Sequence, residues 1–276
     1  MRKKISLIAM DVDGTLLGKN KILSARTKTV LAKAAAGGIH LVVASGRAVQ
    51  AIPSELLNIN GVEYAITSNG SSIFSVEEGE RIYRRDLTEN QIHKLMNFYR
   101  EYDCPMEVFI QGSPYTSKDY YNEPEKFGAS PSSAEYVQTT RHPVEDIREF
   151  AAVHENEIEG INFIVYDKRL KAEMRSQLES LGEFYVTSSV ARYIEISHEG
   201  VCKRSALEWL AEKLGIPQKE IIAFGDGEND LEMIQYAGTG VAMDNGIDRL
   251  KKAADIVAPA CEEDGVARVL ENILNL

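Results

Sequence analysis

Cysteine is scarce in this chain of 276 residues: three in all, Cys104, Cys202 and Cys261. They are odd in number and far apart. That fits neither a disulfide framework nor a cysteine zinc site, and suits reduced, incidental thiols in a cytosolic protein. Long apolar runs are also missing, and no stretch approaches the ~20 apolar residues of a membrane-spanning helix. Arg2-Lys-Lys4 ahead of the apolar residues 5–10 has the outline of a leader, but that run stops at Asp11. It falls short of the roughly 7–15 residues a signal segment needs. The expected location is the cytoplasm.

Positive charge is in deficit, with 31 Lys and Arg against 42 Asp and Glu and a formal net charge of −11. Binding a phosphate backbone or an anionic membrane takes a basic surface, so neither nucleic acid nor membrane is the expected partner. A small phosphorylated ligand stays open, since a few local cations suffice for it. His40, His93, His142, His154 and His198 are scattered without metal-ligand spacing, and no histidine mechanism is needed. The single tryptophan, Trp209, lies among Leu207, Leu210 and Leu214 on a predicted helix and is expected in a core. Repeats and low-complexity tracts are absent. The 44% apolar and 26% charged composition is that of a globular protein long enough for one large or two smaller domains.

The first third alternates apolar strands with helices. Residues 5–10, 39–44 and 62–67 read as buried strands, and residues 24–37 as a helix capped by Ser24 and stopped at Gly37-Gly38. Residues 48–57 read as helical, with Pro53 kinking or dividing the segment. Residues 71–74 and 81–84 resemble a hairpin around Glu77-Glu-Gly-Glu80. From about 86 to 192 the pattern is less regular, with an amphipathic helix over 88–102, strand-like aromatic residues over 105–121, a loop over 122–133 and a strand over 161–166. Alternation returns with helices over Lys203–Leu214, Leu231–Tyr236 and 264–272 and strands over 221–224 and 240–243. The predicted fold is α/β: a doubly wound parallel sheet built from residues 1–85 and 193–276, interrupted by a separate α+β insert over 86–192.

Four polar clusters fall where ligands gather in such a sheet, at or just beyond strand ends: Asp11/Asp13, Ser45/Arg47, Lys203 and Asp226/Asn229/Asp230. Taken singly, each has another reading. Asp11-Val-Asp-Gly suits a solvated turn or a cation loop, Ser45-Gly-Arg47 a strand–helix junction, and Lys203 a solvated helix start. Gly225-Asp-Gly-Glu-Asn-Asp230, with three acids in five residues after a buried strand, is more specific for a cation. Together they suit phosphoryl transfer, which asks mainly for positioning and neutralisation of charge. Asp11 would attack phosphorus to give an aspartyl-phosphate. Asp13 would protonate the leaving alcohol and then deprotonate water. Mg²⁺ bridging Asp11, Asp226 and a phosphate oxygen would admit the anionic substrate. Ser45 and Lys203 would serve the remaining oxygens.

Asp11-Val-Asp-Gly-Thr-Leu-Leu17, Ser45-Gly-Arg47, Lys203 and Gly225-Asp-Gly-Glu-Asn-Asp230 resemble the four motifs of the haloacid dehalogenase superfamily of phosphatases. More narrowly, the chain resembles the Cof-type sugar-phosphatase branch, whose α/β cap is inserted after the third strand region. Ser68-Asn-Gly70, residues 241–245 and Glu263-Asp-Gly-Val266 match that branch as well. The resemblance implies a Rossmannoid core with a cap that acts as substrate lid. It implies Asp11 as nucleophile and metal ligand, and Asp13 as acid/base that also binds metal through its backbone carbonyl. Ser45, Gly46 and Lys203 would bind phosphate and Asp226 the metal. Asn229 and Asp230 would serve the phosphate or the metal's outer shell, Asn229 being assigned to phosphate and Asp230 to metal. Arg47, Asn69 and Asn245 would line the site. Two departures stand out: Arg204 follows Lys203 where glycine is frequent, and Gly246 follows Asn245 where alanine is frequent.

In the insert, the candidate substrate contacts are Tyr115, Lys118, Tyr120, Tyr121 and Arg192, although tyrosine-rich stretches commonly serve packing. The expected activity is Mg²⁺-dependent hydrolysis of phosphomonoesters of small metabolites, sugar phosphates above all. A phosphomutase using the same aspartyl-phosphate is the enzymatic alternative. A phosphate-ligand sensor is the non-enzymatic one, disfavoured because a sensor has no need of Asp13.

Overall fold

A computed structural model describes residues 4–276; of the leader-like residues, Arg2 and Lys3 lie outside them. The chain divides into two compact units. One runs to Gly46 and takes in Ile52–Tyr83 and Cys202–Leu276; the other comprises Arg47–Ala51 and Arg84–Val201. Among the described residues no helix is long and apolar enough to cross a membrane.

In chain order the first unit begins with β1 (Leu7–Met10), α1 (Ala25–Ala36), β2 (His40–Ala44), α2 (Ser54–Leu57), β3 (Val62–Thr67), β4 (Ser72–Ser75) and β5 (Arg81–Arg84). The second unit supplies α3 (Glu89–Tyr99), β6 (Met106–Ile110), β7 (Ser113–Ser117), α4 (Lys118–Asn122), α5 (Pro131–Thr140), β8 (His142–Val144) and α6 (Ile147–Val153). It continues with β9 (Ile158–Ile164), α7 (Lys168–Ser180), β10 (Phe184–Thr187) and β11 (Tyr193–His198). The first unit resumes with α8 (Lys203–Leu214), β12 (Ile221–Gly225), α9 (Leu231–Tyr236), β13 (Thr239–Met243), α10 (Asp248–Ala253), β14 (Ile256–Ala258) and α11 (Gly265–Leu274).

The first unit is the expected parallel sheet, in the order β14-β13-β12-β1-β2-β3-β4-β5. Pairing is parallel from β14 to β3 and turns antiparallel at β4. The central strands are apolar throughout because both faces are covered. Ile8, Met10, Leu41, Val43, Ile222 and Phe224 pack in one core, which also holds Val30 and Leu31 of α1 and Val266 and Leu270 of α11. Leu7, Ala9, Val42, Ala44, Ile221 and Ala223 pack in the other, with Leu207 and Leu210 of α8 and Met233 and Ile234 of α9. Trp209 is only partly buried, against this second core, with its ring centroid 5.0 Å from that of Tyr83. Successive connections lead away from β1 in opposite directions, so β1 and β12 flank the point where the strand order reverses. Ligands of open parallel sheets bind at the carboxyl ends there.

The second unit is α+β, a six-stranded sheet in the order β10-β11-β9-β6-β7-β8. Its main core takes Ile92 and Leu95 from α3, Ile147 from α6, Met174 and Leu178 from α7, and Met106, Val108, Ile161, Phe163 and Ile194 from the sheet. The opposite face buries Glu107, whose carboxylate receives two 2.9 Å hydrogen bonds from Arg141. The expectation that the insert ends at Arg192 needs correcting. β11 pairs antiparallel with both β9 and β10, so it belongs to this sheet, and the second boundary lies between Val201 and Cys202. Pro53 does divide residues 48–57, into a 3₁₀ turn over Val49–Ala51 and the short α2.

Candidate active site

A polar residue directly follows three central strands of the first unit: Asp11 after β1, Ser45 after β2 and Asp226 after β12. Asp11 follows Met10 and is fixed to the neighbouring strand by its N–H, which donates to the Phe224 carbonyl at 3.0 Å. The chain then turns back on itself: Leu16 and Leu17 N–H donate to the Val12 carbonyl, and Gly14 N–H to that of Leu17. Gly14 is in the left-handed region, with φ of +91°. A β-carbon there would lie 2.2 Å from Asp226 Oδ2, so only glycine lets this loop approach the second carboxylate.

Lys203 opens α8 and is fully buried. Its Nζ donates to Asp11 Oδ1 at 2.6 Å and to Asp230 Oδ1 at 2.7 Å. The other oxygen of Asp230 accepts from the Asp226 and Gly227 N–H groups at 3.0 and 2.9 Å. Both Asp230 oxygens therefore have partners within the protein. Through these contacts Asp230 holds the lysine and braces the loop that carries Asp226. Thr15, which sequence reasoning missed, sends its hydroxyl to Asp226 Oδ1 at 3.3 Å; the signal was its place directly after Gly14.

The electrostatics record a shortage of positive charge. Burial pushes Asp11 up to about 7, helped by Asp230 and Asp13 and opposed by Lys203. Burial pushes Asp226 up to about 8, with Asp11 and Asp230 adding to it and Lys203 and Thr15 opposing. For Lys203 burial acts downward, but Asp11 and Asp230 outweigh it and hold the ammonium well above the usual lysine range. Only when all three carboxylates are ionised do they exceed the one ammonium, by two negative charges, and that excess is what burial resists by raising Asp11 and Asp226. Ligand oxygens of Asp11, Asp226 and Asp230 all lie within 4.8 Å of one another. An all-oxygen set carrying excess negative charge fits a hard divalent cation, and Mg²⁺ in particular, which needs only one or two carboxylates.

The structure brings several other expected residues to this cluster's surroundings. Ser45 follows β2 with its N–H on the Ile66 carbonyl, and its own carbonyl accepts from Asn69 N–H at 3.1 Å. Asn69 Oδ1 in turn accepts from Asn229 Nδ2 at 2.9 Å, and all three residues are buried. Ser68, Asn69 and Gly70 all have positive φ. A β-carbon on Gly70 would sit 2.2 Å from the Cys202 carbonyl oxygen, so this turn is pressed against the start of α8. Asn245 spends both ends of its amide on loops: Nδ2 donates to the Gly14 carbonyl at 2.8 Å and Oδ1 accepts from Cys261 N–H at 2.9 Å. Asp13 is partly exposed and pairs with Lys21 at 2.5 Å. Nothing in the sequence had singled out Lys21.

Arg47 belongs to the second unit, where its guanidinium donates to the Ala51 carbonyl at 2.7 Å and lies 4.7 Å from the centre of the Tyr136 ring. Its neighbour Gly46 ends the first segment of the first unit. Of the candidates in the insert, Tyr120 is fully buried beside Val137, Ile164 and Tyr193. Tyr115 packs against Phe150, Tyr121 donates to the Gln138 carbonyl, Lys118 pairs with Glu145, and Arg192 lies over Tyr193. Tyr115 and Tyr120 thus pack against apolar and aromatic neighbours. His93 meets Glu155 at 2.9 Å beside Glu89 on the protein surface.

The motif of haloacid dehalogenase-like hydrolases matches residues 8–270. The chain belongs to this family. Phosphatase YwpJ of Bacillus subtilis (strain 168) is 29% identical over 98% of this chain and 100% of its own length. The 5-amino-6-(5-phospho-D-ribitylamino)uracil phosphatase YitU of the same strain is 28% identical, with all of both chains covered. A solved haloacid dehalogenase-like hydrolase from B. subtilis superposes with a TM-score of 0.84 at 27% identity, covering 97% of this chain and 99% of that one. The chain is a hydrolase of this family, and its carboxylate–lysine cluster lies at the carboxyl ends of the parallel strands.

Proposed function

We propose that the chain is a Mg²⁺-dependent phosphatase of small phosphomonoesters, sugar phosphates among them, working through an aspartyl-phosphate on Asp11. The observation that carries this is the buried Lys203 ammonium bridging Asp11 and Asp230, with Asp226 alongside. Such an arrangement is costly unless it serves an anionic ligand and a cation. Relatives named as phosphatases over their full length support the activity class.

The residues divide the work. Lys203 pins the Asp11 carboxylate and, with three donors and two spent, keeps one for a phosphoryl oxygen. Ser45 supplies a second donor to the phosphoryl group. Asp11 attacks phosphorus, and Asp13, two residues on and open to solvent, protonates the departing alcohol and then takes a proton from the water that hydrolyses the acyl phosphate. Asp11, Asp226 and the Asp13 backbone carbonyl would hold the Mg²⁺, which when bound supplies the charge neutralisation that lets a carboxylate approach a phosphate. Asp230, Asn69, Asn229 and Asn245 fix the loops from which these groups project.

The test is phosphate release from a panel of small phosphomonoesters by purified protein. Turnover that is lost with a chelator and restored by Mg²⁺ is expected. Turnover indifferent to the chelator would contradict the metal assignment, and none across the panel would contradict the phosphatase reading.

A further inference from the structure

Lys21 stands eight residues beyond Asp13, yet its Nζ lies 2.5 Å from Asp13 Oδ1. The local backbone accompanies this placement. Leu16, Leu17 and Leu23 are buried on either side of the loop, and Lys21 N–H closes a turn on the Gly18 carbonyl. Lys21 itself is left-handed, with φ of +54°, a conformation that non-glycine residues adopt at a cost. An ion pair with lysine 57% and aspartate 34% exposed gains little, because water and salt screen it. Stability therefore does not account for a strained loop that delivers an ammonium to this carboxylate.

We propose that Lys21 is a specificity-determining residue that selects phosphomonoesters whose leaving group carries a second anion close to the ester oxygen. The inference rests on the proposed hydrolysis, in which Asp13 meets the leaving oxygen within one hydrogen bond. An ammonium paired to Asp13 then lies on the order of 5 Å from that oxygen. One N–H of Lys21 is spent on Asp13, and two remain for a ligand. A carboxylate or second phosphate two or three bonds from the ester oxygen falls within their reach; a neutral alcohol or a distant charge does not. The substrate class so defined is the phosphorylated hydroxy acids and closely spaced bisphosphates.

The experiment measures kcat/KM for two matched pairs: 3-phosphoglycerate against glycerol 3-phosphate, and 2-phosphoglycerate against glycerol 2-phosphate. The wild-type ratio of acid to neutral ester is expected to exceed one, to sit mainly in KM, and to shrink in high salt. In Lys21→Met the ratio falls about fivefold. In Lys21→Glu it falls further, and in Lys21→Arg it is retained. Taking a ratio cancels any general loss that follows from disturbing Asp13. Wild-type turnover with a ratio that Lys21→Met leaves unchanged overturns the inference alone. Absence of turnover of every ester overturns the hydrolase reading and this inference with it.

Discussion

Lys203 and Asp11, 192 residues apart in sequence, meet at 2.6 Å inside the protein, the lysine wholly buried at the first position of α8 and the aspartate at the end of β1. The contact joins the two segments of the first unit that the 84–201 segment separates along the chain. Its energetics depend on the lysine serving two acids at once. Desolvating an ammonium is expensive, and it is offset here by Asp11 and Asp230 together.

Removing that ammonium leaves Asp11 and Asp230 buried without a counter-charge. Lys203→Met is expected to destabilise the metal-free protein by about 3–5 kcal/mol, the usual loss when one partner of a buried ion pair is deleted. Denaturant unfolding of the two proteins in chelator measures it. A loss below about 1 kcal/mol would mean that the carboxylates take up protons at little cost and that the lysine is not their main support.

Substituting the nucleophile separates chemistry from folding. Asp11→Asn keeps the shape and leaves Lys203 paired with Asp230, so the fold should persist with an unfolding midpoint close to that of wild type. Turnover should fall by at least about a thousandfold. Phosphate release beside circular dichroism of the same sample checks both halves. Activity near the wild-type level would rule out attack by Asp11.

The raised carboxylates fix the direction of a pH effect. Asp11 and Asp226 rise from 3.8 to about 7 and about 8, so between roughly pH 4 and pH 8 the folded protein holds protons that the unfolded chain has released. Stability of the metal-free protein should therefore decline as pH rises through that window. Mg²⁺ needs the deprotonated carboxylates and should raise the unfolding midpoint more at pH 8 than at pH 5.5. Thermal unfolding with Mg²⁺ and with chelator at both pH values tests this. An equal gain at the two pH values would place the cation away from Asp11 and Asp226.

Much of the first unit was legible because its signals are local. Continuous apolar strands, the Gly37-Gly38 stop after α1 and the acidic loop after β12 need no knowledge of distant contacts. The second unit was harder to read. The α5 segment is polar and buries only Ala134 and Val137, and α7 buries only Met174 and Leu178, so neither shows much helical period. β11 alternates Tyr193, Glu195 and Ser197 with Ile194 and Ile196, but its partners are β9 and β10, and pairing is not written in the strand itself. Hence the boundary expected after Arg192 and found after Val201.

In the candidate site, residue types and strand-end positions were readable, whereas side-chain partners were not. Asn245 reaches Gly14, and Asn229 reaches Asn69, across 231 and 160 residues. Those long-range contacts, which tie one loop to another, are not written in the local sequence. Arg47 was read with Ser45 because it is adjacent in sequence, yet the chain changes unit between Gly46 and Arg47. Lys21 escaped notice because lysine in a polar loop carries no signal until a left-handed turn aims it at Asp13.

The central claim is that Asp11 becomes phosphorylated during turnover. The stereochemical course at phosphorus tests it most directly, with a phosphorothioate monoester whose two non-bridging positions beside sulfur differ by oxygen isotope, hydrolysed in water carrying the third isotope so that the thiophosphate released is itself chiral. Attack by Asp11 and then by water inverts the phosphorus twice, so net retention of configuration is expected. Net inversion would mean a single direct attack by water and would contradict the aspartyl-phosphate.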